Sequence, residues 1–507
     1  MVRNMPAAKP ERPSHLPHGR WLGDFPDLSD AEKRLVKDCA AGTGCVLGAT
    51  RPETATTENT IRADLIRFLA LGGCEANPVH ENGVQLAGAW VEGKLDLNNA
   101  TVKVDLQLEA CRFSHSIVAT DSKLAGLYLS GSQLAGILAD RMVVTGSLFL
   151  CDGFIATGEV GLLGAQIGGN LVCNRGTFSS MRTGGTSAGD ALNVEHIVVK
   201  GALFVRKANF IGRVNLTAAY ATSLIDDENC WPTEGVLMDG FRYDRIGAGS
   251  TGAPTRVKWL EAQYKTHIEA DFRPQPWEQL IKVLRDMGHP AEAAEIAMAK
   301  QLAMRSAGKI GNRIPRSQYV GWRLWLDSGW VKVSNWIARR WHWVYGALAG
   351  FGYRPARILL WMIGMCLLSG WYFSDAASSG IIAPASAEIF AHKQIHADLG
   401  AKGTDSAACG IQREVPPARY WTQCSALPSE YTTFNAWVYS LDLILPLVDL
   451  QQDSQWAPSA TYTDAGGVTR NLWGGMIARF IMWFEILFGW FASLMFVAIA
   501  GRLVEKD

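Results

Sequence analysis

The chain has 507 residues, with 48 Lys+Arg balanced by 48 Asp+Glu, so it is long enough for several domains and its charge suggests no nucleic-acid partner. Its ten cysteines show no CxxC or Cys/His ligand spacing, so we expect neither a metal site nor a cofactor. Residues 1–60 are polar, proline-rich and charged, without a signal peptide, which predicts that the N-terminal part stays in the cytosol.

Residues 1–75 are predicted to form a helical cap. We expect two helices, at 29–41 and 57–71, and the second has an apolar face made of Leu65, Ile66 and Leu69. A cap is needed because the end of a solenoid leaves strand edges unpaired and a core open.

Residues 76–228 are predicted to form a parallel β-solenoid. Apolar anchors recur every ten to twelve residues, and a small or apolar residue follows two positions after each anchor. A spacing of two places both side chains on one face of a short strand, and the repeat predicts that these faces stack. The anchors are Val84, Leu95, Leu106, Ile117, Leu127, Ile137, Leu148, Val160, Leu171, Leu192, Leu203, Val214 and Ile225.

Two anchor steps are expected to make one coil of about 22 residues, with six or so coils in the stack. The interval from Leu171 to Leu192 is a double step, and residues 179–190 are expected to fill the missing step and loop out. The pattern breaks at Asp227, which predicts the end of the solenoid.

Residues 229–310 are predicted to form a helical linker. Helices are expected at 256–267, 276–287 and 290–305, and the last two read as an αα-hairpin. Its candidate contacts are Leu280, Leu284, Ala294 and Met298.

Residues 311–350 are rich in tryptophan and basic residues. This composition fits an amphipathic helix in the lipid headgroup layer, and a buried packing helix of the soluble domain is the alternative. The interfacial anchors would be Trp322, Trp325, Trp336, Arg339, Arg340 and Trp341, followed by Arg354 and Arg357 at the start of the first span.

Residues 351–507 are predicted to form an all-α transmembrane domain with spans at 354–373 and 480–500, the second with one internal charge, Glu485. Segment 301–357 carries ten Lys/Arg and one acid, whereas 374–432 carries four Lys/Arg and six acids. The positive-inside rule then predicts that both termini lie on the cytosolic side of a bacterial inner membrane. Residues 374–479 are expected to be mostly periplasmic or extracellular, or re-entrant. There Cys409 and Cys424 are expected either to form a disulfide or to remain free thiols.

Between the spans, residues 433–450 form a third apolar stretch that is too short to cross a bilayer and is interrupted by Asp442 and Pro446. Such a helix followed by extended chain predicts a re-entrant hairpin, as in two-helix pore-loop channels. LPLVDLQ stands where a TVGYG filter would be sought, so potassium selectivity of that type is not expected.

In an oligomer Asp449 would form an acidic ring; alternatively, Asp449 caps the hairpin and Glu485 bonds to Trp or Ser across subunits. The pore candidates are Ser440, Asp442, Pro446, Leu447, Val448 and Asp449.

Four stretches of the chain resemble a known type of protein: GVQLAGAWVEGKLDLNNATV (83–102), LMDGFRYDRI (237–246), FRPQPWEQL (272–280) and FGYRP (351–355). They are similar to the pentapeptide-repeat-like domains of large bacterial membrane proteins, some of them labelled membrane-associated oxidoreductases. The resemblance covers most of the chain, and it implies a β-helical domain. The residues themselves do not support an oxidoreductase, because the glycines in 161–170 do not open a helix in a βαβ unit and cannot present its N-terminus to a pyrophosphate.

Two functions fit these features. The first is a homo-oligomeric channel, tetrameric or pentameric, that passes inorganic ions with a preference for cations and uses the solenoid as a cytosolic sensing or gating domain. The second is a membrane-anchored scaffold whose solenoid binds a cytosolic protein or ligand. An enzyme is not expected, since the sequence shows no nucleophile–base pair, metal spacing or phosphate loop.

Overall fold

The computed structural model describes residues 18–180, 189–233, 235–312, 322–386, 389, 421–423, 427, 430–463, 469–471 and 473–504. The chain forms two compact units, Met1–Ile314 and Pro315–Asp507. The first contains the solenoid with helices at both of its ends, and the second is mainly helical. A mixed fold, with an N-terminal parallel solenoid and a helical C-terminal part, is confirmed.

The solenoid has four faces, and the central coils contribute one short strand to each face. All of the strand pairs along these faces are parallel, which is how successive coils of a solenoid stack. The first face contains Cys45–Val46, Val84–Ala87, Leu106–Glu109, Leu127–Tyr128, Leu148–Phe149 and Leu171–Val172, and the second contains Thr60–Arg62, Trp90–Glu92, Arg112–Phe113, Gln133–Leu134, Ile155–Ala156, Thr177–Ser179 and Asn209–Ile211. The third contains Ile117–Val118, Ile137–Leu138, Val160–Gly161, Asp190–Asn193, Arg213–Asn215 and Val236–Leu237, and the fourth contains Thr101–Val102, Lys123–Leu124, Val143–Val144 and Gln166–Ile167. In the last three coils the long strands Val198–Phe204, Tyr220–Ile225 and Arg242–Ile246 continue both the fourth and the first face.

The strand register confirms that two anchor steps make one coil. Val84 pairs with Leu106 on the first face, and Ile117 pairs with Ile137 on the third, so successive anchors alternate between these two faces. Their side chains are buried because they point into the stack. The solenoid has about seven turns, one more than expected.

Three details of the predicted repeat are wrong. Leu171 lies on the first face and Leu192 on the third, so they are one step apart rather than two. The extra residues are an insertion between Ser180 of the second face and Gly189, whose amide donates to Ser180 O. The last anchor is Leu224 rather than Ile225, since a register shift moves the pairing by one residue. The stack does not end at Asp227 but continues through Val236–Leu237 and Arg242–Ile246, so the paired strands extend beyond residues 76–228.

The corners of the coils have a repeated backbone conformation. The residue four positions after an anchor adopts a positive φ even where it is not glycine, as at Asn99 (54°), Ala110 (47°), Asp121 (56°) and Lys207 (52°). This left-handed geometry is uncommon for residues with a side chain, so the stacking of neighbouring coils holds it in place.

Two helices cover the N-terminal end of the solenoid. Helix α1 (Asp30–Ala41) begins at Ser29, whose hydroxyl accepts the Glu32 amide in a capping box. Helix α2 (Ala63–Ala70) is shorter than expected, because Thr60–Arg62 forms a strand against Trp90–Glu92 rather than helix. The predicted apolar face of α2 is confirmed: its members Leu65, Ile66 and Leu69 are buried.

Four helices follow the solenoid: α3 (Ala253–Glu261), α4 (Lys265–Ile268), α5 (Gln275–Asp286) and α6 (Pro290–Ser306). Helices α5 and α6 pack against each other as predicted, with Leu280 and Leu284 buried on α5. On α6 the buried apolar residues are Ala293, Ile296 and Ala297, whereas the predicted contacts Ala294 and Met298 are half-buried.

The C-terminal unit contains helices α7 (Trp322–Ala349), α8 (Ala356–Ser378), α9 (Ala436–Ile444) and α10 (Trp473–Val504). Segments Ala356–Ser378 of α8 and Trp473–Gly501 of α10 are long and apolar enough to cross a membrane. Two short antiparallel pairs, Ile382–Pro384 with Trp456–Pro458 and Thr461–Thr463 with Thr469–Asn471, add a little sheet to this unit.

Candidate functional site

The short helix α9 lies between the two long apolar helices. Its N-terminus is capped by Asn435, whose side-chain oxygen accepts the amides of Trp437 and Val438. The helix is close-packed at both ends: a Cβ on Gly370 of α8 would lie 2.6 Å from the Trp437 ring, and one on Gly489 of α10 would lie 2.3 Å from Ile444 O. At Gly489 only glycine allows the two backbones to approach this closely, and at Gly370 glycine leaves room for the Trp437 ring.

Ser440 fixes the level of α9 relative to its neighbours. Its hydroxyl donates to Glu485 of α10 and lies 2.6 Å from the hydroxyl of Ser369 of α8. Ser369 and Glu485 are each two residues from the midpoint of the apolar segments Ala356–Ser378 and Trp473–Gly501. The middle of α9 is therefore level with the middle of both long helices.

Glu485 is a buried acid in an apolar environment. Its side chain is fully buried, and its Oε1 accepts hydrogen bonds from both serines, with 2.6 Å to Ser369 Oγ. Its Oε2 is buried without a partner among the described residues. The alternative expectation placed the Trp or Ser partner of Glu485 on another subunit, whereas the two serines that bond it here belong to the same chain, so that Glu485 joins three helices.

Asp442 holds the chain that follows α9. Its carboxylate, 5% exposed, accepts the backbone amides of Leu450 (2.7 Å), Gln452 (2.8 Å) and Asp453 (3.0 Å). One carboxylate thus accepts three backbone amides that would bond carbonyl oxygens in a helix or a sheet. Asp442 therefore holds the return segment of the hairpin through both of its carboxylate oxygens.

The hairpin closes on the side from which it began. The Gln452 side chain accepts the Asn435 amide and donates to Thr433 O, and the Trp456 indole donates to Thr432 O at 2.8 Å. The segment from Thr432 to Trp456 therefore descends as α9, turns at Pro446 and returns to its starting level.

The turn of the hairpin is exposed and acidic. Leu447 is 88% exposed, Val448 is also exposed, and Asp449 uses one oxygen to accept the Gln451 amide at 2.7 Å. Carboxylate oxygens of Asp442, Asp449 and Asp453 lie within 4.8 Å of one another. These three carboxylates are the group in the described residues that could hold a cation, although Asp442 already has amide donors on both oxygens.

The candidate interfacial anchors lie mainly at exposed positions. On α7, Trp336 and Trp341 are more than half exposed, and the Arg340 guanidinium lies 5.6 Å from the Trp336 ring. The remaining predicted anchors are Arg339 and Arg354, both exposed, Arg357, which is half-buried, and Trp322 and Trp325, whose side chains are outside the described part. The predicted cysteine pair, Cys409 and Cys424, also lies outside the described residues.

Some members of the site were not predicted from sequence. Ser369 sits in the apolar run of the first span. A hydroxyl there is a weak signal, because a serine in a helix commonly bonds a carbonyl of its own helix instead of a neighbouring helix; the Ser369 Oγ does lie 2.8 Å from Met365 O. Gln452, Gly370 and Gly489 have no sequence signal beyond their residue type, since their roles depend on contacts with distant segments.

The chain matches no family model, no curated protein and no solved structure. The resemblance to pentapeptide-repeat-like membrane proteins and to pore-loop channels therefore stays a prediction, while the parallel solenoid and the two apolar helices are observed.

Proposed function

We propose that the protein is a homo-oligomeric ion channel of a bacterial inner membrane, preferring cations, with the β-solenoid as a cytosolic sensing or gating domain. The observation that carries the proposal is the hairpin of α9. Its helix descends to the level of the middle of α8 and α10, and the chain then turns and returns to the side it came from.

The hydrogen bonding of the return segment supports a position within the bilayer. Non-helical backbone at membrane depth is tolerated only where its polar groups have partners in the protein or line a water-filled space. Asp442 supplies such partners to three amides after the turn. This bonding meets the requirement that non-helical chain has at a depth where water is excluded.

The exposed apolar surface of the unit supports membrane insertion. On α8 and α10 many large apolar side chains face outward, among them Leu360, Leu368, Phe480, Leu487 and Leu494. In water such a surface would favour aggregation, whereas lipid or neighbouring subunits would cover it. Two spans and one hairpin cannot enclose a water path alone, so the proposal requires several copies, with a tetramer or pentamer favoured.

The acidic turn supports a preference for cations. Asp449 is exposed at the turn, and symmetric copies would bring equivalent carboxylates together around an axis. The basic bias of segment 301–357 supports a cytosolic N-terminal side.

The test is ion flux in liposomes containing the full chain, with the oligomeric state verified in detergent beforehand. We expect cation flux, and we expect Asp449→Asn to lower the ratio of cation to anion permeability several-fold. Asp375→Asn is the matched control, because Asp375 is exposed on α8 outside the hairpin; it should leave the ratio unchanged. Flux no greater than in protein-free liposomes would overturn the channel and favour a membrane-anchored scaffold.

A further inference from the structure

The carboxyl group of Glu485 lies where helices α8, α9 and α10 meet. Its Oε1 contacts Ser369 of α8 and Ser440 of α9, and the whole side chain is buried, with 0% exposed. Its Oε2 has no hydrogen-bond partner among the described residues. An ionised carboxylate would spread its charge onto this unpartnered oxygen. Burial of an uncompensated charge is costly, and a carboxyl group avoids that cost by keeping its proton.

The close contacts around Glu485 need more protons than the two serines supply. Ser369 Oγ lies 2.6 Å from Glu485 Oε1 and 2.6 Å from Ser440 Oγ, and Ser440 Oγ is bonded to Glu485 Oε1. Three contacts thus join three oxygens, but two hydroxyl groups carry only two protons. If both serines donate to Glu485, no proton lies between the serine oxygens; if one serine donates to the other, one contact with Glu485 has no proton. A proton on Glu485 supplies the third donor.

The helices packed against Glu485 offer no counter-ion for a negative charge. No Lys, Arg or His occurs in the segments 358–378 of α8, 436–444 of α9 and 480–501 of α10. The nearest basic residue along α10 is Arg479, about 9 Å away in helix rise. Its Nε donates to Pro458 O. A charge on Glu485 would therefore have no positive partner on these three segments.

The other titratable side chains of the same segments are Cys366, Tyr372 and Asp375 on α8 and Tyr439 and Asp442 on α9. Tyr439 faces α10 close to Glu485, and its hydroxyl donates to Met482 Sδ at 3.3 Å. The carboxylate of Asp442 bonds amides of the return segment, and Asp375 is exposed. Thiols, phenols and carboxyl groups are neutral or negative and never positive, so none of them stabilises a charge on Glu485.

We propose that Glu485, Ser369 and Ser440 form a proton-binding site, in which Glu485 is a neutral carboxylic acid at neutral pH and its proton stabilises the contact of α9 with α8 and α10. When this proton is lost to solvent at alkaline pH, the charge that remains has no partner at Oε2, and α9 separates from the other two helices. The inference goes beyond the proposed channel, because the proton is bound within one chain and its loss requires no ion flux. A membrane-anchored scaffold would have the same site.

The first experiment is infrared spectroscopy of the full chain in detergent at neutral pH. The carbonyl of a neutral carboxylic acid absorbs apart from carboxylate groups, and the unmodified chain should show such a band. Glu485→Gln should remove it. Asp375→Asn is the matched control, because it changes an exposed acid of α8 and should leave the band unchanged. In the unmodified chain the band should also disappear as the pH is raised, which tests the site even if Glu485→Gln does not fold.

The second experiment compares unfolding temperatures in detergent from neutral to alkaline pH. The unmodified chain should lose more stability than Glu485→Gln as the pH rises, because the glutamine amide stays neutral and keeps both a donor and an acceptor for the serines. Absence of a neutral-acid band in the unmodified chain, or an unchanged band in folded Glu485→Gln, would overturn the proposal. Equal loss of stability in the two chains would overturn the link between this proton and the position of α9.

Discussion

The Asp442→Asn substitution tests whether one buried carboxylate holds the return segment of the hairpin. The carboxylate accepts three backbone amides, from Leu450, Gln452 and Asp453. An asparagine has a single side-chain oxygen, which can keep the two amides bound to Oδ2, while its NH2 group then faces the Leu450 amide. One buried amide loses its acceptor, and the two that remain bonded lose the charge of theirs.

The magnitude follows from the hydrogen-bond count. A bond to a charged group contributes about 1.5–3 kcal/mol and a neutral bond about 0.5–1.5 kcal/mol. Two weakened bonds and one lost bond with an unsatisfied amide together cost about 4 kcal/mol. Since each 1.4 kcal/mol is a factor of ten, local opening should become about a thousandfold more frequent.

The assay is hydrogen exchange by mass spectrometry on the full chain in detergent, followed in peptides that cover 446–455. Exchange of these amides should accelerate strongly in Asp442→Asn. Asp449→Asn is the control, because Asp449 is exposed and accepts one amide, so its effect should stay below about tenfold. Acceleration of less than tenfold in Asp442→Asn, or equal effects of the two variants, would refute the role assigned to Asp442.

Two further predictions concern helix packing and acid stability. Gly489→Ala places a Cβ 2.3 Å from Ile444 O, and this overpacking should lower the free energy of unfolding by about 1–3 kcal/mol, measured as a lower unfolding temperature in detergent. Gly364→Ala is the control and should leave the unfolding temperature unchanged, because no heavy atom lies within 4 Å of the added Cβ. Equal shifts in the two variants would contradict the packing of α9 against α10. Burial alone would raise the pKa of Glu32, but its bonds to Arg62 and the Ser29 amide lower it below the ordinary value of 4.5. The stability that Glu32 contributes is therefore present above pH 4.5 and is lost as the pH falls through its lowered pKa. The denaturation midpoint of the N-terminal unit should accordingly drop in acid. Glu32→Gln should make that midpoint depend less on pH.

The solenoid could be predicted from sequence because its signal is local and repeated. An anchor, an inward residue two positions later and a corner two positions after that recur along the chain, as at Leu106, Leu108 and Ala110. Val236, Met238 and Gly240 follow the same rule, but the polar residues after Asp227 obscure it.

The errors arose where pairing with a distant segment overrides a local preference. Thr60–Arg62 precedes a helix and reads as its first turn, yet it becomes a strand because Trp90–Glu92 lies beside it. The Leu224 anchor depends on an irregularity in the neighbouring strand. No pattern within α9 could reveal that Asp442 faces amides eight to eleven residues ahead, since the return segment has no periodicity.

The insertion between Ser180 and Gly189 has a practical consequence. The amide of Gly189 bonds Ser180 O, so the two ends of the insertion lie side by side, and strands on both sides keep their places in the stack. Chain length can therefore change at this corner without altering which residues pair. A fluorescent protein or an affinity tag inserted between Ser180 and Gly189 should leave the coils in register, because these two residues already lie side by side, and it would allow the protein to be followed in cells.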